Sequence, residues 1–118
     1  MDLLSKLINL EGISGNEHSV RNFIIKEAKK YSKDVKIDNM GNVIVRKKGT
    51  RPRVLLLAHM DEVGLMVKSI DSNGKISFGT LGSIDPEILL AQRVKILGKN
   101  EINGVITIDE VLNGWTMP

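Results

Sequence analysis

The chain has 118 residues, of which 42% are hydrophobic, and its formal net charge is +3. This length predicts one small domain with a modest core. No apolar run is long enough to cross a bilayer and the first residues lack the plan of a signal peptide, so we expect a cytoplasmic protein with no membrane partner. Because there is no cysteine, disulfides and thiolate metal sites are excluded, and a metal would need histidine and carboxylate ligands.

Two helices are predicted near the N-terminus. Leucine and isoleucine at helical spacing predict a short amphipathic helix over roughly residues 2–11, ending at Gly12. A second amphipathic helix is predicted from about residue 16 to residue 32. Its cap is expected at Ser14 or Asn16, with Glu17 in its first turn.

After the second predicted helix, apolar residues recur at every second position, which is the period of a β-strand. Alternating residues at 35–37 and 43–45, on either side of a turn at 39–42, predict a β-hairpin. The next run, Val54–Ala58, is apolar at consecutive positions. That pattern is typical of a strand covered on both faces in an α/β sheet, so we expect a central strand here.

The rest of the sequence reads mostly as β-structure. A second hairpin is predicted from residues 63–70 and 75–81, and two further strands from residues 93–97 and 102–108. Between the second hairpin and these two strands, Asp85 can cap a short helix with Pro86 in its first position. The change from α/β to mostly β after about residue 64 predicts two structural parts, and residues 109–118 have no sustained period.

The end of the predicted central strand carries residue types that bind metals. Ligands commonly lie where strands of an α/β sheet end, and His59 is at that point. Asp61, two residues on, can lie on the same side of an extended chain and orient the imidazole. His59 and Asp61 are therefore a candidate metal ligand and its orienting partner. These residues alone leave open the alternative of a structural histidine followed by turn residues Asp61 and Glu62.

Four segments resemble, in the same order, metallopeptidase family 42, which includes glutamyl and deblocking aminopeptidases and proteins labelled endoglucanases. The segments are G-I-S-G-N-E-H-S-V-R-N at 12–22, D-N-M-G-N-V-I at 38–44, A-H-M-D-E-V-G at 58–64 and G-S-I-D-P-E-I-L-L-A-Q-R-V at 82–94. The resemblance runs from about residue 3 to residue 106. It corresponds to the N-terminal portion of the longer sequence of the family.

The resemblance implies a fold and a chemistry. Residues 1–69 would be the N-terminal part of a zinc-aminopeptidase-like α/β catalytic domain, and residues 70–108 the start of an inserted β-barrel-like dimerisation domain. Residues 109–118, which have no sustained period, are expected to be an appended tail. It implies peptide substrates, a homo-oligomer such as a dodecameric shell, and two divalent metal ions, zinc or cobalt. His59 would be the first metal ligand, and Asp61 the carboxylate behind it. A glutamate would act as general base.

The other ligands of the family have no counterpart here. His18 is not a replacement, because it is expected in the middle of a helix-forming segment, at a place where the family has no ligand. Asp85 is better explained as a helix cap, and Asp109 and Glu110 as solvated charges. We therefore expect a truncated member of a metal-dependent aminopeptidase family that is inactive as this chain alone. The alternative is a non-catalytic oligomerisation or interaction module.

A third possibility, nucleic-acid binding, is disfavoured. Ten basic residues fall within 28 positions: Lys26, Lys29, Lys30, Lys33, Lys36, Arg46, Lys47, Lys48, Arg51 and Arg53. Tyr31 is the only aromatic residue in the segment 26–53, so the segment offers few side chains on which bases could stack. Solvated lysines are ordinary on the polar side of an amphipathic helix, and no nucleic-acid partner is expected.

Overall fold

The computed structural model describes residues 2–107, which form two compact units that divide between Gly82 and Ser83. The first unit contains α1 (Leu3–Leu7), α2 (His18–Ala28), β1 (Asp34–Ile37), β2 (Val43–Arg46), β3 (Gly64–Ile70) and β4 (Ile76–Leu81), and the second contains a 3-10 helix (Pro86–Ile88), β5 (Arg93–Leu97) and β6 (Glu101–Val105). The described strands form three two-stranded antiparallel sheets, β1–β2, β3–β4 and β5–β6. The described part is therefore a small α/β structure made mostly of strands, as predicted.

Both predicted helices are confirmed, but each is shorter than expected. Asp2 caps the N-terminus of α1, since its carboxylate accepts a hydrogen bond from the Ser5 amide at 2.7 Å. The prediction that Ser14 or Asn16 caps α2 is wrong, because the residue before the helix is Glu17 and its side chain makes no capping bond. His18 is thus the first residue of α2 and not an interior residue.

The first hairpin is confirmed, and Asp38 fixes its turn. Its carboxylate accepts hydrogen bonds from the amides of Met40 and Asn42, each at 2.9 Å, and from the Asn42 side chain at 2.8 Å. The hydrogen bonds of Asn42 hold the pKa of Asp38 below its ordinary value, because they favour the ionised carboxylate. Gly41 has a positive φ of 86°, which a side chain would disfavour.

The central strand predicted at Val54–Ala58 is not formed. Residues 53–61 belong to no strand, and the side chains of Val54, Leu55, Leu56 and Leu57 are 79%, 80%, 89% and 85% exposed. A strand exists only through hydrogen bonds to a neighbour, and no strand within residues 2–107 pairs with this run. The prediction of a central strand, which was based on apolar composition, is therefore wrong for the described structure.

The remaining elements follow the sequence pattern. The hairpin of β3 and β4 is confirmed, and its register shifts between Val67 and Ser69. In the second unit, the Asp85 carboxylate accepts from the Glu87 amide at 3.0 Å, so its predicted capping role is confirmed. β6 ends at Val105, three residues before the predicted end at 108.

Two predictions on organisation stay predictions. The boundary expected at 69/70 lies at the end of β3, and the tail expected at 109–118 lies outside the described residues. Between residues 2 and 107, no helix is both long enough and apolar enough to span a membrane.

Candidate metal-ligand site

His59 and Asp61 lie together between the apolar run and β3. The Nδ1 atom of His59 is 3.0 Å from the Asp61 carbonyl oxygen and 3.1 Å from Asp61 Oδ1. Both partners are acceptors, so Nδ1 must carry the proton, and the neutral ring then has an unprotonated Nε2. The His59 side chain is 86% exposed. This arrangement leaves Nε2 available as a ligand, with a carboxylate behind it that fixes the tautomer.

The other oxygen of the Asp61 carboxylate is also engaged. The hydroxyl of Ser14 donates to Asp61 Oδ2 across a sequence separation of 47 residues. This hydrogen bond is the main cause that holds the pKa of Asp61 below its ordinary value, against a smaller opposing effect of desolvation. Asp61 is therefore ionised at neutral pH and acts as an acceptor on both sides.

The loop that carries Ser14, residues 12–16, is held against residues 61–64. The Glu62 amide donates to the Gly12 carbonyl at 2.8 Å, and the Gly12 amide donates to Glu62 Oε1 at 3.1 Å. Ile13 and Glu62 form an isolated parallel bridge. Glu62, for which the sequence offered only the role of a turn residue, thus holds this loop in place.

A cleft of about 260 Å³ opens beside His59. Its lining residues are Glu17, Arg21, Met40, Gly41, Asn42, Ala58, His59, Met60 and Asp61. Arg21 joins two of its walls, because its Nε donates to the Gly41 carbonyl at 2.8 Å and its Nη2 to Glu17 at 3.2 Å. The Gly15 amide is the main cause that lowers the pKa of Glu17. The cleft is therefore bordered by one guanidinium and two ionised carboxylates, Glu17 and Asp61.

His18 is held in a different way from His59. Its Nδ1 lies 3.0 Å from Nη1 of Arg21, which can only donate. His18 Nδ1 is therefore the acceptor, and its neutral ring carries the proton on Nε2. Their hydrogen-bond partners therefore favour opposite tautomers of the two neutral rings. Among the described residues, a carboxylate is bonded to His59 but not to His18.

The donor chemistry fits one ligand of a metal centre. An imidazole Nε2 backed by a carboxylate suits zinc and similar divalent ions. Among residues 2–107, however, no group of three or more histidine, aspartate and glutamate side chains converges as a metal site would require. The other carboxylates considered from the sequence do not join His59: Asp85 caps the 3-10 helix, and Asp109 and Glu110 lie outside the described residues.

Sequence reasoning missed three residues near His59. Ser14 was considered only as a helix cap, and Glu17 only as a first-turn residue, whereas Arg21 was given no role. The G-I-S-G-N-E segment was the available signal, because a loop rich in glycine can approach another segment closely. Nothing local showed which segment it would meet.

Comparison with known proteins agrees with the motifs. The sequence model of the M42 glutamyl aminopeptidase family matches residues 41–112. A lysyl aminopeptidase of Pyrococcus furiosus is 39% identical over 109 residues, which are 91% of this chain and 32% of that protein.

Solved structures give the same result. An aminopeptidase from the archaeon Desulfurococcus kamchatkensis has a TM-score of 0.86 and 29% identity, covering 98% of this chain and 34% of that one. The TET1 peptidase of Pyrococcus horikoshii, which can assemble into a tetrahedron or a large octahedral shell, has a TM-score of 0.79 and 38% identity over 88% of this chain and 32% of that one. This chain spans about a third of the length of these relatives. It belongs to the M42 glutamyl aminopeptidase family.

Proposed function

We propose that this chain contributes to a metal-dependent aminopeptidase that removes N-terminal residues from peptides, with His59 as a metal ligand and Asp61 as its orienting residue. One observation carries the proposal. The carbonyl and the carboxylate of Asp61 both accept from Nδ1 of His59, at 3.0 and 3.1 Å, which leaves the exposed Nε2 free to bind a metal ion. Membership of the family supports the reaction class.

The metal expected at His59 is zinc or cobalt, because imidazole nitrogen suits both ions. A metal ion bound there would supply activation of water for attack on a peptide carbonyl. The residues of this chain have other tasks: Asp61 holds the His59 ring, and the loop at 12–16 holds Asp61. Within the proposal, residues 1–69 belong to the catalytic domain and residues 70–108 begin an inserted β-domain.

The 118-residue chain by itself is expected to be inactive. One imidazole binds a divalent ion weakly unless other ligands converge on it. The described residues supply one prepared ligand and no cluster of three. We therefore expect weak zinc binding and no hydrolysis of peptides by this chain alone.

The test measures zinc binding by calorimetry and hydrolysis of amino-acid amides for the full chain and two variants. We expect weak zinc binding that His59→Ala abolishes and that the control His18→Ala retains. The unprotonated nitrogen of neutral His18 is Nδ1, which already accepts from Arg21, so this ring has no free lone pair for a metal. Zinc binding that survives His59→Ala, or that is lost only in His18→Ala, would refute the assignment. Hydrolysis by the wild-type chain that persists in His59→Ala would refute the proposed role of this histidine.

The second candidate function is a non-catalytic oligomerisation module. It is favoured by the exposed apolar run Val54–Leu57, because large exposed apolar patches commonly mark interaction surfaces. The ability of the Pyrococcus horikoshii TET1 peptidase to form shells is consistent with this candidate. A homo-oligomer that binds no zinc would favour it, and a monomer in solution scattering would exclude it.

A further inference from the structure

The Asp61 carboxylate is shared between two side chains. Its Oδ1 lies 3.1 Å from His59 Nδ1, and its Oδ2 accepts from the hydroxyl of Ser14. We propose that Ser14 is a positioning residue for His59 and acts through Asp61. The proposal rests on the proposed function only for the identity of His59 as a metal ligand.

The order of the three residues determines what they can do. In a nucleophilic triad the serine hydroxyl bonds to the imidazole, which takes its proton. Here the hydroxyl donates to the carboxylate and the carboxylate accepts from the imidazole, so Asp61 lies between Ser14 and His59. Ser14 is therefore not activated as a nucleophile. Its hydrogen bond restricts rotation of the carboxylate instead.

His59 depends on this hydrogen-bonded chain for its orientation. Its side chain is 86% exposed, so little packing restricts the ring, and its orientation comes from the two contacts with Asp61. The Asp61 side chain is itself 40% exposed and needs its own restraint. If the carboxylate turned away, Nδ1 would keep only the Asp61 carbonyl as an acceptor.

The backbone around Ser14 is built to hold the hydroxyl in place. Before it, Gly12 exchanges two hydrogen bonds with Glu62, at 2.8 and 3.1 Å. After it, the Asn16 amide donates to the Ile13 carbonyl at 2.8 Å, which closes a tight turn around Ser14. The loop approaches so closely that a Cβ on Gly64 would clash with the Ile13 side chain. Ser14 is thus presented to Asp61 by a loop fixed on both sides.

The test reads the tautomer of His59 directly, by long-range ¹⁵N–¹H NMR of the labelled, metal-free full chain at alkaline pH, where imidazole is neutral. The wild type is expected to show the proton of His59 on Nδ1 and that of His18 on Nε2. In Ser14→Ala the His59 signals should shift towards a mixture of both tautomers, whereas Ser14→Thr, which keeps the hydroxyl, should retain the wild-type pattern. The matched control is Ser19→Ala, which removes the hydroxyl of an exposed serine in α2.

The His18 signals serve as an internal control, because Arg21 and not Ser14 holds that ring. Ser14 is exposed, so removal of its hydroxyl should leave the fold intact, and Ser14→Cys provides a weak donor of similar size if the alanine variant does not fold. His59 signals that are the same in Ser14→Ala and wild type, or a wild-type proton on Nε2, would overturn the proposal.

Zinc binding separates this proposal from the proposed function. Loss of an outer partner of a metal ligand typically lowers metal affinity 10- to 100-fold, and Ser14 is one bond further away, so we expect at most about a 10-fold loss in Ser14→Ala. If the wild type binds no zinc but Ser14→Ala still changes the His59 tautomer, the proposed function fails and the positioning role stands. If zinc binds through His59 but the tautomer ignores Ser14, only the positioning role fails.

Discussion

Gly12 is the position where a single methyl group tests the link between the N-terminal loop and the candidate site. A Cβ at Gly12 would lie 2.6 Å from Cγ2 of Val20, which is 7% exposed. Carbon atoms pack at about 3.5 Å or more, so Gly12→Ala requires a displacement of about 0.9 Å. Val20 cannot easily yield, because a valine in a helix has one strongly preferred rotamer.

The size of the effect follows from two opposing contributions. Overpacking costs about 1–3 kcal/mol. Replacing glycine restricts the unfolded chain and returns about 0.4–1 kcal/mol. The midpoints of the two ranges differ by about 1.3 kcal/mol, so we expect Gly12→Ala to lower the free energy of unfolding by roughly that amount. Urea denaturation measures this change. Gly49→Ala is the matched control, because nothing lies within 4 Å of a Cβ at Gly49, and it should be neutral or slightly stabilising.

The contact with Val20 can be isolated with a double variant. Val20→Ala removes the clashing methyl group, so Gly12→Ala should cost clearly less in that background than in the wild type. Because the loop carries Ser14, Gly12→Ala should also disturb the His59 tautomer. A Gly12→Ala variant as stable as Gly49→Ala, with unchanged His59 signals, would refute the reasoning.

Three further predictions concern other parts of the chain. The pKa of Asp38 is lowered in the folded state, so the ionised carboxylate stabilises the fold above the ordinary aspartate pKa, and this contribution is lost as pH falls through the lowered value. In Asp38→Asn, the free energy of unfolding measured by urea denaturation should therefore fall less over that acid range. An identical fall in the variant and the wild type would contradict this. Gly41 and Gly74 both have a positive φ, near 86° and 81°, so alanine is strained at either position. Only at Gly41 would the new Cβ also lie 2.6 Å from Arg21, so Gly41→Ala should have the lower thermal unfolding temperature of the two variants. Equal unfolding temperatures would show that the contact with Arg21 is unimportant. If the exposed apolar run Val54–Leu57 joins copies of this chain, Leu56→Lys should reduce the molecular mass measured by light scattering. The control Thr50→Lys, at another exposed position, should leave the mass unchanged. An unchanged mass in Leu56→Lys would exclude this run from the interface.

Local elements could be predicted well from the sequence. The hairpin turns at Asp38 and Asp71 depend on carboxylates that bond to amides two and four residues later, so the signal lies within five residues. The cap at Asp85 and the pair of His59 and Asp61 are equally local. Such features depend on spacing along one segment, which a sequence displays directly.

Longer-range features could not be predicted. The run Val54–Ala58 has the composition of a central strand, but strand formation requires a neighbouring strand, and none of the described strands supplies one. Ser14 has the spacing of a helix cap, but its hydroxyl bonds to Asp61, 47 residues away. In both cases the outcome depends on which segment lies alongside, and residue type does not encode that in a readable way.

By itself, the sequence of this protein determined its family, its hairpins and the pairing of His59 with Asp61, because motifs and turns are written in neighbouring residues. The tertiary structure decided how that pair is supported. Only the folded chain brings Gly12 to Glu62 and Ser14 to Asp61, through contacts that span 50 and 47 residues. The identity of the candidate ligand is thus a local property, whereas its orientation depends on the approach of two distant segments.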